Sequence, residues 1–168
     1  MSCILVGGGN RSGKSAFALE YARRFKEPLA FIATAQAFDD EMRTRIQKHR
    51  SERGPEFVTI EESMNPARSI DEAGDRFGAI VLDCLTLWLS NLMLAEGHVG
   101  RESAELLRAC LSSPATVVLV TNEVGCGIVP ENELARRFRD AAGRLNQQIA
   151  ASASEVYWMV FGVPLRVK

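Results

Sequence analysis

Val6-Gly7-Gly8-Gly9-Asn10-Arg11-Ser12-Gly13-Lys14-Ser15 is the stretch that decides the fold. From Gly8 it follows G-x-x-x-x-G-K-S, the spacing of a phosphate-cradling P-loop. The apolar run Cys3-Ile4-Leu5-Val6 precedes it and a helix-compatible segment, Ala16 to Phe25, follows. A strand, a glycine loop and a helix in that order are the context the motif requires. Glycines let backbone N–H groups turn inward around an anion without a Cβ in the way. The helix that follows points its positive end at the same anion. In this pattern Gly8, Gly9, Asn10, Arg11, Ser12 and Gly13 wrap the phosphates. Lys14 reaches the β and γ phosphates, and Ser15 offers a hydroxyl to Mg²⁺. A chance match in a glycine-rich loop is the alternative, and the flanking signals argue against it.

The rest of the chain is compatible with one such domain. Its 168 residues can bury a sizeable core. An apolar fraction of 46% and a charged fraction of 24% are those of an ordinary globular protein. A net charge of -1 argues against a broad nucleic-acid footprint. No apolar run approaches the roughly 20 residues of a membrane helix. The glycine loop begins where a secretory signal's apolar core would have to continue. Cys3, Cys84, Cys110 and Cys126 are far apart and form no C-x-x-C pair. They read as reduced thiols of a cytoplasmic protein, with Cys3 and Cys84 in the core.

Strand and helix patterns alternate, which predicts an α/β fold with a mostly parallel sheet between helical layers. Strands are expected at Cys3–Gly7, Leu29–Ala33, Phe57–Glu61, Ala79–Asp83, Ala115–Val120 and Glu155–Phe161. Gly162-Val163-Pro164 reads as a turn, and Leu165–Lys168 as a last short strand. Helices are expected at Ser15–Arg24, Phe38–Arg53, Pro66–Ala73, Leu85–Leu94, Glu102–Leu111 and Pro130–Ala151. Leu85–Leu94 is apolar nearly all round, so it is either core or a subunit interface.

Ligands of open α/β sheets bind at the carboxyl ends of the strands. Thr34 with Gln36, Asp83, and Asn122 with Glu123 fall there beside the P-loop. Asp83 suits a hard Mg²⁺ ion, with a helix N-cap as the competing role. The Phe38–Arg53 helix carries His49 among Arg43, Arg45, Lys48, Arg50 and Arg53. Such cations hold phosphates and favour a neutral imidazole, the form that attacks phosphorus. A solvated basic face with an incidental histidine is the plainer reading of the same residues. Trp88 and Trp158 lie in apolar segments and read as packing.

Several stretches together carry a resemblance. They are Gly8 to Ser15, Phe31-Ile32-Ala33-Thr34-Ala35-Gln36, and Asp39-Asp40-Glu41-Met42 with Arg45-Ile46 and His49-Arg50. To these add Thr121-Asn122-Glu123-Val124-Gly125 through Glu131, and Arg136 to Asn146. The chain resembles the bifunctional adenosylcobinamide kinases / adenosylcobinamide-phosphate guanylyltransferases of cobalamin biosynthesis, over nearly its whole length. The resemblance implies a three-layer, RecA-like P-loop NTPase fold. It implies phosphorylation of adenosylcobinamide by ATP or GTP, then transfer of GMP from GTP to the phosphate. It assigns the GMP-carrying histidine to His49 and Mg²⁺ to Ser15 and Asp83. Further nucleotide contacts map onto Ala33, Thr34, Ala35, Arg50, Ser51, Glu52, Glu61 and Asp83, with Glu62 adjacent to Glu61. A homotrimer is implied as well. The stretch from Ala95 to Ser113 is shorter than the family pattern leads one to expect. Two other readings compete: a single-function P-loop kinase for another small molecule, and a non-catalytic RecA-type nucleotide switch.

Overall fold

The computed structural model describes residues 2–36, 40, 44, 50 and 53–168. Seven strands form one sheet: β1 (Cys3–Gly8), β2 (Leu29–Ala33), β3 (Phe57–Glu61), β4 (Ala79–Asp83), β5 (Thr116–Val120), β6 (Glu155–Val160) and β7 (Val163–Arg166). Their order is β3-β2-β4-β5-β1-β6-β7. Every pairing is parallel except that of β6 with β7. Five described helices cover the faces: α1 (Lys14–Ala22), α2 (Pro66–Ala73), α3 (Leu85–Leu94), α4 (Val99–Ser112) and α5 (Glu133–Ser152).

Alternation along each strand sorts the core into two layers. Ile4, Val6, Leu29, Phe31, Val81, Val118 and Val120 pack with Ala18, Leu19 and Ala22 of α1. Leu5, Ile32, Ile80, Leu82, Val117 and Leu119 pack on the opposite face with side chains of α2, α3, α4 and α5. Both faces of β4 and β5 are therefore covered, which is why these strands read as unbroken apolar runs.

The expected elements recur with shifted ends, and each shift has a local cause. The last long helix begins at Glu133, not Pro130, because Asn132 accepts the Ala135 N–H at 3.0 Å as its N-cap. Leu134, in the first turn of that helix, is exposed, while Ala142, Leu145 and Ile149 are buried. The fourth helix runs Val99–Ser112, starting three residues before the expected Glu102. The turn before the last strand is Phe161-Gly162, not 162–164. Both residues have positive φ, 50° and 85°. That pair joins Val160 to its partner Val163 as a tight antiparallel hairpin. Pro164 sits on the sheet's outermost strand, where its missing N–H costs no ladder bond.

Leu85–Leu94 spends its apolar surface inside the chain. Leu85, Trp88, Leu89 and Leu92 are buried, whereas Leu94 is exposed. The core reading of this segment holds. Trp88 also anchors the helix, donating its indole N–H to the Met64 carbonyl at 3.0 Å. Cys3, Cys84 and Cys110 are buried free thiols and Cys126 is an exposed one.

Candidate active site

The P-loop closes the carboxyl end of β1. Gly8 has φ 147°, and an added Cβ there would stand 2.9 Å from the Met159 carbonyl oxygen of β6. Gly13, at φ 92°, is the left-handed residue that turns the loop into α1. Arg11 also has positive φ, 54°. Gly9, Asn10 and Arg11 are exposed at the loop's outer edge. Lys14 is buried, with its ammonium folded across the loop onto the Gly9 carbonyl and, at 3.3 Å, Ser12 Oγ. Burial holds this ammonium below its ordinary pKa, against the opposing pull of Asp83. That competition places Asp83 within electrostatic reach of the P-loop lysine.

Asp83 ends β4. It stands opposite Ala33 of β2, which stands opposite Glu61 of β3. By strand alternation these three share the face occupied by α1. The expected contacts Glu61, Ala33 and Asp83 therefore form one row across the carboxyl edge, leading toward the P-loop. The N-cap position of α3 belongs to Cys84, so the capping role does not fall to Asp83. Burial and the neighbouring Asp83 push the Cys84 thiol up to about 11, which keeps it protonated at neutral pH.

Thr34 is wholly buried and its hydroxyl is committed. It donates to the Cys84 carbonyl at 2.8 Å and accepts the Cys84 N–H at 2.7 Å. Its own N–H and carbonyl go to Asp83 and Asn91. Thr34 thus fixes the β2 and β4 ends relative to each other. Ala35 and Gln36 continue from it, with Gln36 donating to Ser63 Oγ at 2.6 Å. The two adjacent glutamates are separated by their bonds. Glu62 accepts the N–H groups of Met64 and Asn65, both at 2.8 Å, and so shapes the loop into α2. Glu61 stays at the strand end, with Arg50 Nη1 3.6 Å from its carboxylate.

His49, Ser51 and Glu52 lie outside the described residues, as do most residues of the helix expected over 38–53. Asp40, Thr44 and Arg50 within it are helical, and Thr44 donates to the Asp40 carbonyl at 2.9 Å. Arg53 marks where the chain returns to the sheet. Its guanidinium carbon lies 3.6 Å over the Phe31 ring, and Nη1 donates to Thr59 at 3.1 Å. Burial lowers its pKa while Asp83 and Glu61 oppose that. The two arginines nearest His49 on its carboxyl side are thus docked on β2 and β3.

Sequence reasoning left several site neighbours unassigned. Asn91 donates to the Thr34 and Ser63 carbonyls from inside an apolar helix, an out-of-place polar residue that could have flagged it. Thr86 accepts the Asn122 N–H, Asn146 accepts the Thr121 hydroxyl, and Arg139 donates to the Gly125 carbonyl. The Glu123 N–H reaches the Gly8 carbonyl at 3.1 Å, which ties this second polar loop to the P-loop. Among the described residues no three His, Cys, Asp or Glu side chains gather as a metal cage. The hydroxyl and carboxylate oxygens of Ser15 and Asp83 fit the alternative arrangement, a hard Mg²⁺ ion completed by water and phosphate oxygens. Among the described residues no helix is long and apolar enough to cross a membrane.

Three bacterial relatives match nearly end to end. The bifunctional adenosylcobalamin biosynthesis protein CobU of Escherichia coli is 41% identical, covering 98% of this chain and 99% of that protein. CobU of Salmonella typhimurium is 43% identical with the same coverage. The corresponding CobP of Pseudomonas aeruginosa is 40% identical over 98% of this chain and 96% of its own. In architecture the chain is similar to a KaiC-like protein from Pyrococcus horikoshii, with a TM-score of 0.57 over 94% of this chain and 70% of that one. Their identity is 17%, so this likeness speaks for the RecA-like P-loop fold alone. The family model for cobinamide kinase / cobinamide phosphate guanyltransferase matches residues 4–167. The chain belongs to the cobinamide kinase / cobinamide phosphate guanyltransferase family.

Proposed function

We propose that this protein phosphorylates adenosylcobinamide with ATP or GTP and then transfers GMP from GTP to adenosylcobinamide phosphate through His49. The observation that carries the reading is the row Glu61–Ala33–Asp83 meeting the P-loop, with Arg50 paired to Glu61 next to the histidine in sequence. A plain kinase has no use for an arginine paired to that row one residue from a histidine.

In the kinase step the substrate hydroxyl oxygen attacks the γ-phosphorus, and the bond to the β-bridging oxygen breaks. Gly8 to Gly13 and Lys14 hold the phosphates in line and take up the charge that develops on the leaving diphosphate. In the second reaction the neutral His49 imidazole attacks the α-phosphorus of GTP. The bond to the bridging oxygen breaks, and pyrophosphate leaves against Lys14 and the loop N–H groups. A phosphate oxygen of adenosylcobinamide phosphate then attacks the same phosphorus and displaces the imidazole. The product is adenosylcobinamide-GDP, and the histidine is regenerated. Ser15 and Asp83 would hold Mg²⁺, which supplies neutralising charge at the phosphate oxygens when bound. Ala33, Thr34, Ala35, Arg50, Ser51, Glu52 and Glu61 complete the guanine-nucleotide contacts in this reading. Those at Thr34 fall to its neighbours' backbone, since its own groups are spent. A homotrimer in the cytoplasm belongs to the same proposal.

Product analysis tests it. Purified protein given adenosylcobinamide, ATP and GTP is expected to form the GDP-linked corrinoid and pyrophosphate. Accumulation of the phosphorylated corrinoid alone would reduce the protein to a single-function kinase. No corrinoid product would favour the nucleotide switch.

A further inference from the structure

Two of the stretches that set this chain apart, Thr121–Glu131 and Arg136–Asn146, have no part in the nucleotide chemistry above. They face each other. Residues 121–132 leave the end of β5 and run outward to the start of α5. The segment is fastened to that helix by arginines at both ends. Arg139 Nη2 donates to the Gly125 carbonyl at 2.6 Å. Arg136 Nη1 donates to the Pro130 carbonyl at 3.1 Å and to the Glu131 carbonyl. Between these ties Ile128 and Val129 stand out, 97% and 63% exposed. Against the helix lies a cleft of about 450 Å³ lined by Val129, Glu133, Arg136, Arg137, Arg139 and Asp140.

The cleft has the chemistry of an anion site with an apolar rim. Three guanidinium groups face two carboxylates, and among the described residues no ion pair joins them. Arg139 Nη1 is buried with no hydrogen-bond partner among the described residues. A charged donor without an acceptor is rare in a folded protein and asks for an anionic oxygen. Arg137 is exposed on the same wall. The same segment is tied to the phosphate loop at its root, where the Glu123 N–H donates to the Gly8 carbonyl at 3.1 Å. A nucleotide held by the P-loop gives no account of a second arginine-lined cleft edged by bare Val129, with Ile128 exposed next to it in sequence. A bulky organic molecule ending in a phosphate monoester does.

We propose that this cleft seats the phosphate of the second substrate, the phosphorylated corrinoid, with Arg139 and Arg137 as its ligands and Ile128 and Val129 against the corrinoid body. The assignment rests on the guanylyltransferase reading. Pyrophosphate leaving the first half-reaction offers the same anionic chemistry, so the test separates the two.

The experiment measures initial rates in the wild type and in Arg137→Gln and Arg139→Gln, varying adenosylcobinamide phosphate, GTP and added pyrophosphate in turn. Each variant is expected to raise KM for adenosylcobinamide phosphate by at least about tenfold, the worth of a lost charge-assisted bond. KM for GTP and inhibition by pyrophosphate stay at their wild-type values. Unchanged KM for the corrinoid phosphate overturns the proposal, as does weakened pyrophosphate inhibition in its place. The Arg137 side chain makes no hydrogen bond or ion pair among the described residues. Its variant therefore decides the matter should Arg139→Gln misfold. If even the wild type forms no GDP-linked corrinoid, the functional reading fails separately. Equilibrium dialysis with adenosylcobinamide phosphate then judges the cleft: weaker binding by the variants upholds it, and equal binding overturns it.

Discussion

At Gly8 the backbone leaves no room for a side chain. An added Cβ would stand 2.8 Å from Ser12 Oγ and 2.9 Å from the Met159 carbonyl oxygen. At Gly9, one residue on, no heavy atom lies within 4 Å of such a Cβ. Gly8→Ala should therefore lower unfolding free energy by about 1–3 kcal/mol, and Gly9→Ala by less than about 0.5 kcal/mol, as read by urea denaturation. Lys14 makes a second residue-level prediction. Burial lowers its folded-state pKa below the ordinary 10.5. Between the two values the unfolded chain binds more protons, so this group's contribution to stability rises with pH there. Phosphate binding runs the other way, because the ammonium that holds the anion is lost in the same window. The dissociation constant for GTP should increase as pH approaches 10.5 in the wild type. That dependence should be flatter in Lys14→Met, which starts from weaker binding. An equally steep rise in the variant would take the titration away from Lys14.

Among the elements, β2 and β4 are joined at their carboxyl ends by one side chain. Thr34→Val keeps the shape but leaves the buried Cys84 N–H without its acceptor. A loss of about 1–3 kcal/mol in unfolding free energy is expected, the cost of one unmet buried donor. The strands themselves were legible because their apolar runs are continuous and their ends are marked by Asp83, Thr121 and the glycine loop. Bonds such as those of Thr34 to Cys84 or Thr121 to Asn146 were not. They join residues 50 and 25 positions apart, and no local pattern encodes them. Element ends failed for a different reason. Asn132 is a strong N-cap, yet Pro130 also suits a first helical turn, and propensity alone favoured the earlier start.

For the whole molecule, the parallel sheet gathers distant polar residues onto one edge. Its register sets Glu61, Ala33 and Asp83 abreast on the α1 face. A P-loop seen alone says only that phosphates are held. That row, together with membership of the cobinamide kinase / cobinamide phosphate guanyltransferase family, points to a reaction at the α-phosphorus as well as the γ. Composition and periodicity favoured an incidental role for His49, because a basic helix face is usually just solvated. Only the resemblance of whole motifs reversed that. Arg50 and Arg53, docked on Glu61, Phe31 and Thr59, now tie the segment after it to the same edge. The central claim is that this histidine carries GMP. Incubation with GTP labelled at the α-phosphorus should leave an acid-labile, base-stable label on the protein that is absent in His49→Ala. A label that persists in His49→Ala, or a wild type that turns over without any label, would contradict the account.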